Sequence, residues 1–202
     1  MTPEDVATFE RCIAVGGVAL FPADTVYGLA TDPESRLGVD RLYRIKGRRP
    51  ERPAAVMFFD VELALAALTE LGERTRTAFT RLLPGAVTLV VPNPSRRYPL
   101  ACGPAPERLG VRVPSLTGSL EPLAAARWPV LQSSANPSGG PDPRRLADVE
   151  PAIRARVDMQ LDGGELPGTP STVVDLGTYE ETGDYAVLRE GAVGAAELAA
   201  HL

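Results

Sequence analysis

Short apolar segments alternate with helical patterns along the whole chain. The segments 18–21, 54–59, 86–91 and 171–176 have the length and apolar composition of buried strands. Between them, apolar residues recur at helical spacing, and this alternation favours a sheet covered by helices. We therefore predict an α/β fold with a single twisted, mostly mixed open sheet flanked by helices. The segment 81–109 and the β-rich end of the chain do not fit a purely parallel sheet.

The helix signals are strongest at the N-terminus. Thr2 supplies a hydroxyl cap, Pro3 occupies the first helical position and Asp5 lies three residues after the cap, a pattern that starts helices. Gly16 and Gly17 then end the predicted helix. Further helices are predicted over residues 36–45, 61–71, 74–83, 115–127, 146–156 and 195–202.

Length, charge and cysteine content limit the class of protein. With 202 residues the chain suits one domain over 1–202, long enough to bury about 70% of its unfolded surface. No stretch approaches the ~20 apolar residues of a membrane span, and the acidic N-terminus is unlike a secretory signal. We therefore expect a soluble, cytoplasmic protein with no membrane partner. Cys12 and Cys102 are expected to stay reduced.

The composition leaves little room for histidine chemistry. His201 is the only histidine and lies second from the end of the sequence. Hydrolases with a histidine base, zinc enzymes with histidine ligands and histidine phosphocarriers all lose their usual central residue. Any chemistry depends on Lys, Arg, Asp, Glu, hydroxyls, backbone amides or a cation brought by the substrate.

A basic segment, residues 41–53, interrupts an acidic chain. It holds five arginines and Lys46, the only lysine, whereas the whole sequence has a net charge of -5. Gly47, Pro50 and Pro53 rule out a continuous helix after residue 45, so the later cations are predicted on a turn or an extended segment. The segment is either a clamp for a phosphate or carboxylate or a solvated basic loop.

Three other polar features lie near predicted strands. Asp24 and Thr25 come directly after the first strand, where open α/β sheets bind ligands. Arg112 alternates with two valines, so it points either to solvent or to an anionic partner within a buried strand. The loop 132–140 offers hydroxyls, an amide and flexible glycines, which suit either an anion site or a linker.

Six motifs occur in a fixed order between Gly16 and Gly191. They are PADTVYGL, KGR followed by two prolines, GVRVP, SANPSGG, STVVD and LREG. With these motifs the chain resembles the YrdC-like family of threonylcarbamoyl-AMP synthases, in its short, single-domain form because the sequence ends at Leu202. The resemblance implies a YrdC-like fold and an enzyme that converts L-threonine, bicarbonate and ATP into threonylcarbamoyl-adenylate and pyrophosphate.

The resemblance also implies a role for each matching residue. Lys46 and Arg48 would form the catalytic pair at a solvent-facing cleft, and Arg112 would pair with the threonine carboxylate. Residues toward ATP would be Arg48, Arg52, Asn136 and Arg189, and residues toward threonine would be Thr25, Arg112, Ser134 and Ser171. No residue is assigned as a metal ligand; Mg²⁺ would arrive with ATP, and Asp24 would either help to place it or only brace the turn.

Two other interpretations stay open. A non-catalytic RNA-binding module on the same fold would use the basic segment to contact phosphates, and a related enzyme would keep the adenylate chemistry with a different acyl substrate. For the synthase, the downstream partners would be tRNA and the tRNA-modification proteins that receive the adenylate. Met57 stands where some family members place a histidine against the substrate, so the shape of the amino-acid pocket is expected to differ.

Overall fold

Nine strands form one sheet that extends through the molecule. The computed structural model describes all residues, 1–202. The strands are β1 (Ala19–Pro22), β2 (Tyr27–Thr31), β3 (Ala55–Met57), β4 (Val87–Pro92), β5 (Arg108–Arg112), β6 (Val130–Ser134), β7 (Met159–Gln160), β8 (Thr172–Asp175) and β9 (Ala186–Arg189). Their order across the sheet is β7-β1-β2-β6-β3-β5-β4-β8-β9. β7 and β1, β3 and β5, and β4 and β8 pair in parallel, and the other neighbours are antiparallel. The predicted mixed sheet is therefore confirmed.

Seven α-helices and two 3₁₀-helices connect the strands. The α-helices are α1 (Pro3–Ala14), α2 (Arg36–Lys46), α3 (Val61–Ala67), α4 (Glu73–Leu82), α5 (Pro151–Arg154), α6 (Tyr179–Thr182) and α7 (Ala195–His201). The 3₁₀-helices are Gly118–Ala125 and Leu146–Asp148. None of these helices combines the length and the apolar character needed to cross a bilayer.

The first two helices begin and end at residues that satisfy their free backbone groups. Thr2 and Asp5 form a reciprocal capping box at the start of α1, as the sequence predicts. Ser35 caps the start of α2 by accepting a hydrogen bond from the Gly38 amide. α2 ends at Gly47, which has a φ of 60°, a left-handed conformation that glycine adopts without strain. This end fixes where the basic segment leaves the helix.

The two faces of the sheet are covered differently. Alternate residues of each strand point to one face, where they pack under α2, α3, α4 and α7 in a cluster of 37 buried residues. On the opposite face, α1 and the 3₁₀-helix Gly118–Ala125 cover only β1, β2 and the adjoining ends of β3 and β6, in a second cluster of 13 buried residues. The rest of that face, over β3, β5, β4 and β8, has no helix on it and is open to a ligand.

Three aromatic rings form the centre of the second cluster. Phe9 of α1 lies 5.4 Å from Phe21 and 5.8 Å from Phe59, measured between ring centroids. Tilted and edge-to-face pairs of this kind contribute about 1 kcal/mol each beyond the apolar area that they bury. They fix α1 over the first two strands and so define one wall of the open region.

Two predicted helices are wrong in part. Residues 115–127 form a 3₁₀-helix only over Gly118–Ala125, because Gly118 has a φ of 58° and Pro122 lies inside the segment without an N–H to donate. Residues 146–156 are divided into the short 3₁₀-helix and α5, which starts at Pro151. The short helix α6 was not predicted.

The segment after β1 also differs from the prediction. Residues Tyr27–Thr31 form β2, which pairs antiparallel with β1, so Asp24 and Thr25 lie at the tip of a hairpin. The Ala23 amide donates to the Val26 carbonyl oxygen at 3.2 Å and closes the turn. These two polar residues therefore reach the open face from a hairpin and not from the carboxyl edge of a parallel strand.

Candidate active site

A cavity of about 420 Å³ lies on the open half of the sheet face. It is lined by 20 residues, and none of them is acidic. Four are arginines, namely Arg48, Arg108, Arg112 and Arg189. A concave, positively charged site in a chain of net charge -5 is suited to an anionic ligand.

The floor of the cavity is made by small side chains on the central strands. Arg108, Gly110 and Arg112 are alternate residues of β5 and point to the same face. Gly110 pairs with Ala55 of β3 and with Val90 of β4, and all three line the cavity. Because Gly110 has no side chain and Ala55 has only a methyl group, the two arginines have open space between them.

Arg112 is held in place from the hairpin tip. Its side chain is 3% exposed and forms an ion pair with Asp24, and its Nη2 donates to the Thr25 hydroxyl at 2.7 Å. Asp24 also accepts a hydrogen bond from the Ser115 amide at 2.9 Å. Burial lowers the pKa of the Arg112 guanidinium, and the Asp24 charge opposes that shift. The structure thus selects the buried, paired alternative for Arg112 and shows that Asp24 braces the turn.

One edge of the Arg112 guanidinium is left without a partner. The Nε atom is buried and makes no hydrogen bond. A buried donor that stays unpaired costs about 1–3 kcal/mol. Arg48 has a buried, unpaired Nε as well. Two unpaired guanidinium donors therefore belong to side chains that line the cavity.

Arg48 is oriented by the segment that follows α2. Its guanidinium carbon lies 5.7 Å from the centroid of the Tyr43 ring, and its Nη2 donates to the Pro53 carbonyl oxygen. The Tyr43 hydroxyl in turn donates to the Arg52 carbonyl oxygen at 3.0 Å. Arg48 is thus fixed by stacking and by backbone contacts, as a flat guanidinium allows and an ammonium does not.

Ser171 and Arg189 form the wall opposite Arg48. Ser171 is 3% exposed, and its hydroxyl lies 2.8 Å from the Thr88 hydroxyl on β4. Arg189, on the edge strand β9, donates to the Ser171 carbonyl oxygen at 2.7 Å. Burial lowers the pKa of Arg189, and the nearby Arg48 charge adds to that shift. Two cations therefore approach the cavity from opposite sides.

Lys46 is not at a solvent-facing cleft, and that expectation is wrong. It is the last residue of α2, is 3% exposed and does not line the cavity. Its Nζ donates to the carbonyl oxygen of Ser134, to that of Asn136 at 2.7 Å and to the Asn136 Oδ1 at 3.0 Å. Burial, with a smaller contribution from Arg48, lowers the pKa of Lys46 to about 8.

Lys46 therefore anchors the loop that starts at Ser134. Inside this loop the Ser134 hydroxyl donates to the Asn136 Oδ1 at 2.6 Å, and the Asn136 Nδ2 donates to the Gly140 carbonyl oxygen. The Ser138 amide closes the arrangement by donating to the Lys46 carbonyl oxygen at 3.0 Å. Only Ser134 of this group lines the cavity.

The predicted site residues thus fall into three groups. Five of them line the cavity: Arg48, Arg112, Ser134, Ser171 and Arg189. Three lie behind that lining and contact it, since Thr25 bonds Arg112, and Lys46 and Asn136 bond Ser134. Arg52 is exposed, and its side chain does not reach the cavity lining.

Four polar residues of the cavity were not predicted as site residues, and one of them is Ser133, next to the predicted Ser134. The other three, Thr88, Arg108 and Gln132, line the cavity together with the predicted residues. Gln132 lies two residues from the predicted Ser134 on β6, and Arg108 lies four residues from the predicted Arg112 on β5, so the alternation of side chains along β5 and β6 is the signal that identifies them. Thr88 alternates with the core residues Val87 and Leu89 in the same way.

Met57 does not shape the cavity. It is fully buried and packs in the second cluster with the aromatic residues under α1. Met57 therefore contributes to the packing under α1, and the expected effect on the amino-acid pocket does not arise from direct contact with the cavity.

Acidic residues do not gather around the cavity. The chain holds no group of three or more His, Cys, Asp or Glu side chains that could bind a metal ion. Asp24 is paired with Arg112, and Asp175 is paired with Arg108. The arrangement is thus suited to binding anions through arginines and hydroxyls.

Comparison with known proteins gives one consistent match. The sequence model of the Sua5_yciO_yrdC family, described as "Telomere recombination", matches residues 11–191. The curated threonylcarbamoyl-AMP synthase of Hahella chejuensis is 32% identical over 166 residues, which cover 81% of this chain and 89% of the relative. That of Pyrococcus abyssi is 30% identical over 165 residues, which cover 81% of this chain. The chain spans 48% of the length of the Pyrococcus abyssi relative.

A solved structure has the same fold. The crystal structure of Pyrococcus abyssi Sua5 complexed with L-threonine superposes with a TM-score of 0.83 at 26% sequence identity. The match covers 100% of this chain and 58% of that protein.

Proposed function

The chain belongs to the Sua5, YciO and YrdC family, and on this premise we propose that it is an L-threonylcarbamoyladenylate synthase. The reaction joins L-threonine, bicarbonate and ATP into threonylcarbamoyl-AMP and releases pyrophosphate. Two facts guide the choice of substrate: the curated relatives are threonylcarbamoyl-AMP synthases, and the Pyrococcus abyssi protein binds L-threonine.

The cavity lining is the observation that carries this proposal. Four arginines and no acidic side chain line a site of about 420 Å³, and Gly110 leaves open space on β5 between Arg108 and Arg112. Adenylate formation brings together a triphosphate and a carboxylate-bearing amino acid, so it needs cations that offset the charge of both substrates. The lining supplies these cations at several points of one concave surface.

The chemistry needs no histidine base. The amine of threonine attacks bicarbonate to give a carbamate and water, so the nucleophile is already an anion. A carbamate oxygen then attacks the α-phosphorus of ATP, the bond to the bridging oxygen of pyrophosphate breaks, and a mixed anhydride with AMP is left. The protein's task is to align two anions and to stabilise the charge that develops at phosphorus.

Each predicted residue has a place in this scheme. Arg112, with Thr25 beside it, binds the threonine carboxylate through the part of its guanidinium group that lines the cavity, and Ser171 and Ser134 position the amino acid. Arg48 and Arg189 bind phosphate oxygens from opposite sides of the cavity. Lys46 and Asn136 act from behind Ser134 by fixing the loop and placing a positive charge near the phosphates, and Arg52 acts at the cavity entrance.

A magnesium ion enters this scheme with ATP. Mg²⁺ usually keeps several waters and binds through substrate phosphates with one or two carboxylates. Since no acidic cluster lies at the cavity, ATP phosphates and water would be its main ligands. The metal would offset phosphate charge and leave the arginines free to hold the carboxylate and the nucleotide.

Pyrophosphate release tests the proposal. The purified chain, incubated with ATP, Mg²⁺ and bicarbonate, should release pyrophosphate and form threonylcarbamoyl-AMP only when L-threonine is added. Release that occurs equally with carbamoyl phosphate or another amino acid would indicate a different acyl substrate. The absence of any turnover, together with tight and steeply salt-dependent tRNA binding, would contradict the proposal and favour an RNA-binding module.

The product determines the downstream partners. A threonylcarbamoyl-adenylate is an activated acyl donor, so a second protein must transfer its acyl group to an adenosine of tRNA. The proposal therefore includes tRNA and tRNA-modification proteins as partners, and a cytoplasmic site of action where ATP, bicarbonate and tRNA occur together.

A further inference from the structure

One cavity residue has no role in the scheme above. Gln132 lies in the middle of β6, is 7% exposed and lines the cavity. Its side-chain amide makes no hydrogen bond with the protein, and it is not among the fully enclosed unpaired groups, so it opens on the cavity. Its amide oxygen and nitrogen are therefore free to accept from and donate to a ligand in the cavity.

The position of this amide is fixed by Gly28. A Cβ atom at residue 28 would lie 2.9 Å from the Gln132 side-chain nitrogen and 3.3 Å from a ring carbon of Phe21. The amide therefore rests over the backbone of β2, where only glycine leaves room for it. On its far side Phe21 and the aromatic cluster under α1 close the wall. Gln132 is thus held at the inner edge of the cavity.

Gln132 shares the cavity with an apolar side chain and a cation from the hairpin region. Val26, at the end of the hairpin turn, lines the cavity with it. The neighbouring Thr25 accepts a hydrogen bond from Arg112, which also lines the cavity. The lining therefore offers a guanidinium, the methyl groups of a valine and a neutral amide that can both donate and accept.

These three kinds of group match the functional groups of threonine. The amino acid carries a carboxylate, a methyl group and a hydroxyl, and the hydroxyl both donates and accepts a hydrogen bond. We propose that Gln132 binds the side-chain hydroxyl of threonine and, with Val26 against the methyl group, makes the site select threonine over amino acids that lack the hydroxyl. The inference rests on the proposed function and assigns a specificity-determining residue to it.

The test compares threonine with valine, which replaces the hydroxyl by a methyl group at the same position. We would measure kcat/KM for both amino acids, and the KM for ATP, in the wild-type protein and in Gln132→Leu and Gln132→Ala. Gln160→Leu is the matched control, because Gln160 is an exposed residue of β7 that bonds Arg154 outside the cavity. Thermal unfolding of each variant shows whether it is folded.

The expected result is a change in selectivity. The wild-type protein should prefer threonine by about 100-fold or more, because a site that hydrogen-bonds a hydroxyl rejects the analogue without it. Both Gln132 variants should lower the ratio of threonine to valine by about tenfold, with kcat/KM for valine unchanged or higher, and Gln160→Leu should not change the ratio. A residue with only a structural role would lower both values of kcat/KM together.

Two outcomes separate failure of the inference from failure of the function. Wild-type protein with threonine-dependent pyrophosphate release, whose folded Gln132 variants keep the threonine-to-valine ratio, overturns the inference alone; so does a change confined to the KM for ATP, which would place the nucleotide at Gln132. Wild-type protein without threonine-dependent release overturns the proposed function and the inference with it.

Discussion

Arg112 and Asp24 form a buried ion pair that joins the β1–β2 hairpin to the central strand β5. Their side chains are 3% and 7% exposed. Because the two residues are 88 positions apart in the chain, the pair fixes the hairpin tip over the open face of the sheet. The same contact orients the guanidinium that we assign to the threonine carboxylate.

Removal of Asp24 should destabilise the fold strongly. Asp24→Ala leaves the Arg112 charge buried without a partner, and we expect the free energy of unfolding to fall by about 3–5 kcal/mol. Urea unfolding measures this change. Asp175→Ala is the control, because it removes the partner of Arg108, whose side chain is 40% exposed, and should cost about 1 kcal/mol or less. Equal losses in the two variants would contradict the role given to the buried pair.

Lys46 should make the stability depend on pH in the alkaline range. Its pKa is lowered to about 8 in the folded protein from an ordinary value of 10.5, so the unfolded chain binds more protons between these two values. The contribution of Lys46 to stability therefore rises as the pH increases through this window and is lost as the pH falls through about 8. Lys46→Met removes this titration without removing the apolar stem.

The measurement is urea unfolding of both proteins at several values of pH. The free energy of unfolding of the wild-type protein minus that of Lys46→Met should increase by about 3–4 kcal/mol across the window, at about 1.4 kcal/mol per pKa unit. A difference that stays constant, or that decreases as the pH rises, would show that burial does not lower the pKa of Lys46.

Arg48 should contribute to ATP binding through the shape of its guanidinium. Arg48→Lys keeps the charge but loses the flat group that lies on Tyr43, so we expect the KM for ATP to rise about tenfold while the threonine-to-valine ratio is unchanged. Arg49→Lys is a control on the next residue, which is exposed and does not line the cavity. If Arg48→Lys and Arg49→Lys raise the KM for ATP equally, the orientation of the Arg48 guanidinium does not contribute to nucleotide binding.

Gly110 should be dispensable for folding but not for function. A Cβ atom there would meet only ordinary contacts, the closest at 3.5 Å to the backbone of Ala55, and would project into the cavity. Gly110→Val should therefore leave the melting temperature unchanged or raise it, since valine suits a strand, and should lower kcat/KM about 100-fold or more by filling the floor. A variant that is both stable and fully active would show that substrates do not occupy this floor.

Local signals were sufficient to predict the first two helices and most strands. The capping box at Thr2 and the glycine after Lys46 act through neighbours in sequence, and the structure has both ends close to the predicted positions. The prediction of a helix over 115–127 was wrong in part. The apolar pattern fits a helix, but Pro122 has no N–H to donate to the preceding turn. β2 was missed because it is a short strand that follows a turn without an Asn-Gly signal.

The types of residue at the candidate site could be predicted from the sequence. Which of them line the cavity and which lie behind the lining could not. The alternation around Arg112 left two alternatives open, a solvent-facing cation or a buried cation with an anionic partner, and the structure has the second. The residues next to Lys46 did not indicate its burial, because the three oxygens that accept hydrogen bonds from its Nζ belong to a loop about ninety residues away. Gln132 was passed over because it was assigned to a polar loop, whereas it lies on a strand whose alternate residues face the cavity.

Because helices cover only one face of the central strands, neighbouring residues on a strand serve different purposes: one determines stability and the next determines what the cavity binds. In β4 and β5, Leu89, Leu109 and Val111 belong to the packed core, and the residues between them line the cavity. A substitution at one of the small, neutral floor positions alters what the protein can bind and costs little stability. A substitution at the adjacent core position lowers the stability and leaves the cavity lining unchanged. This fold can therefore acquire a new substrate through single steps at alternate residues, without first having to gain stability elsewhere.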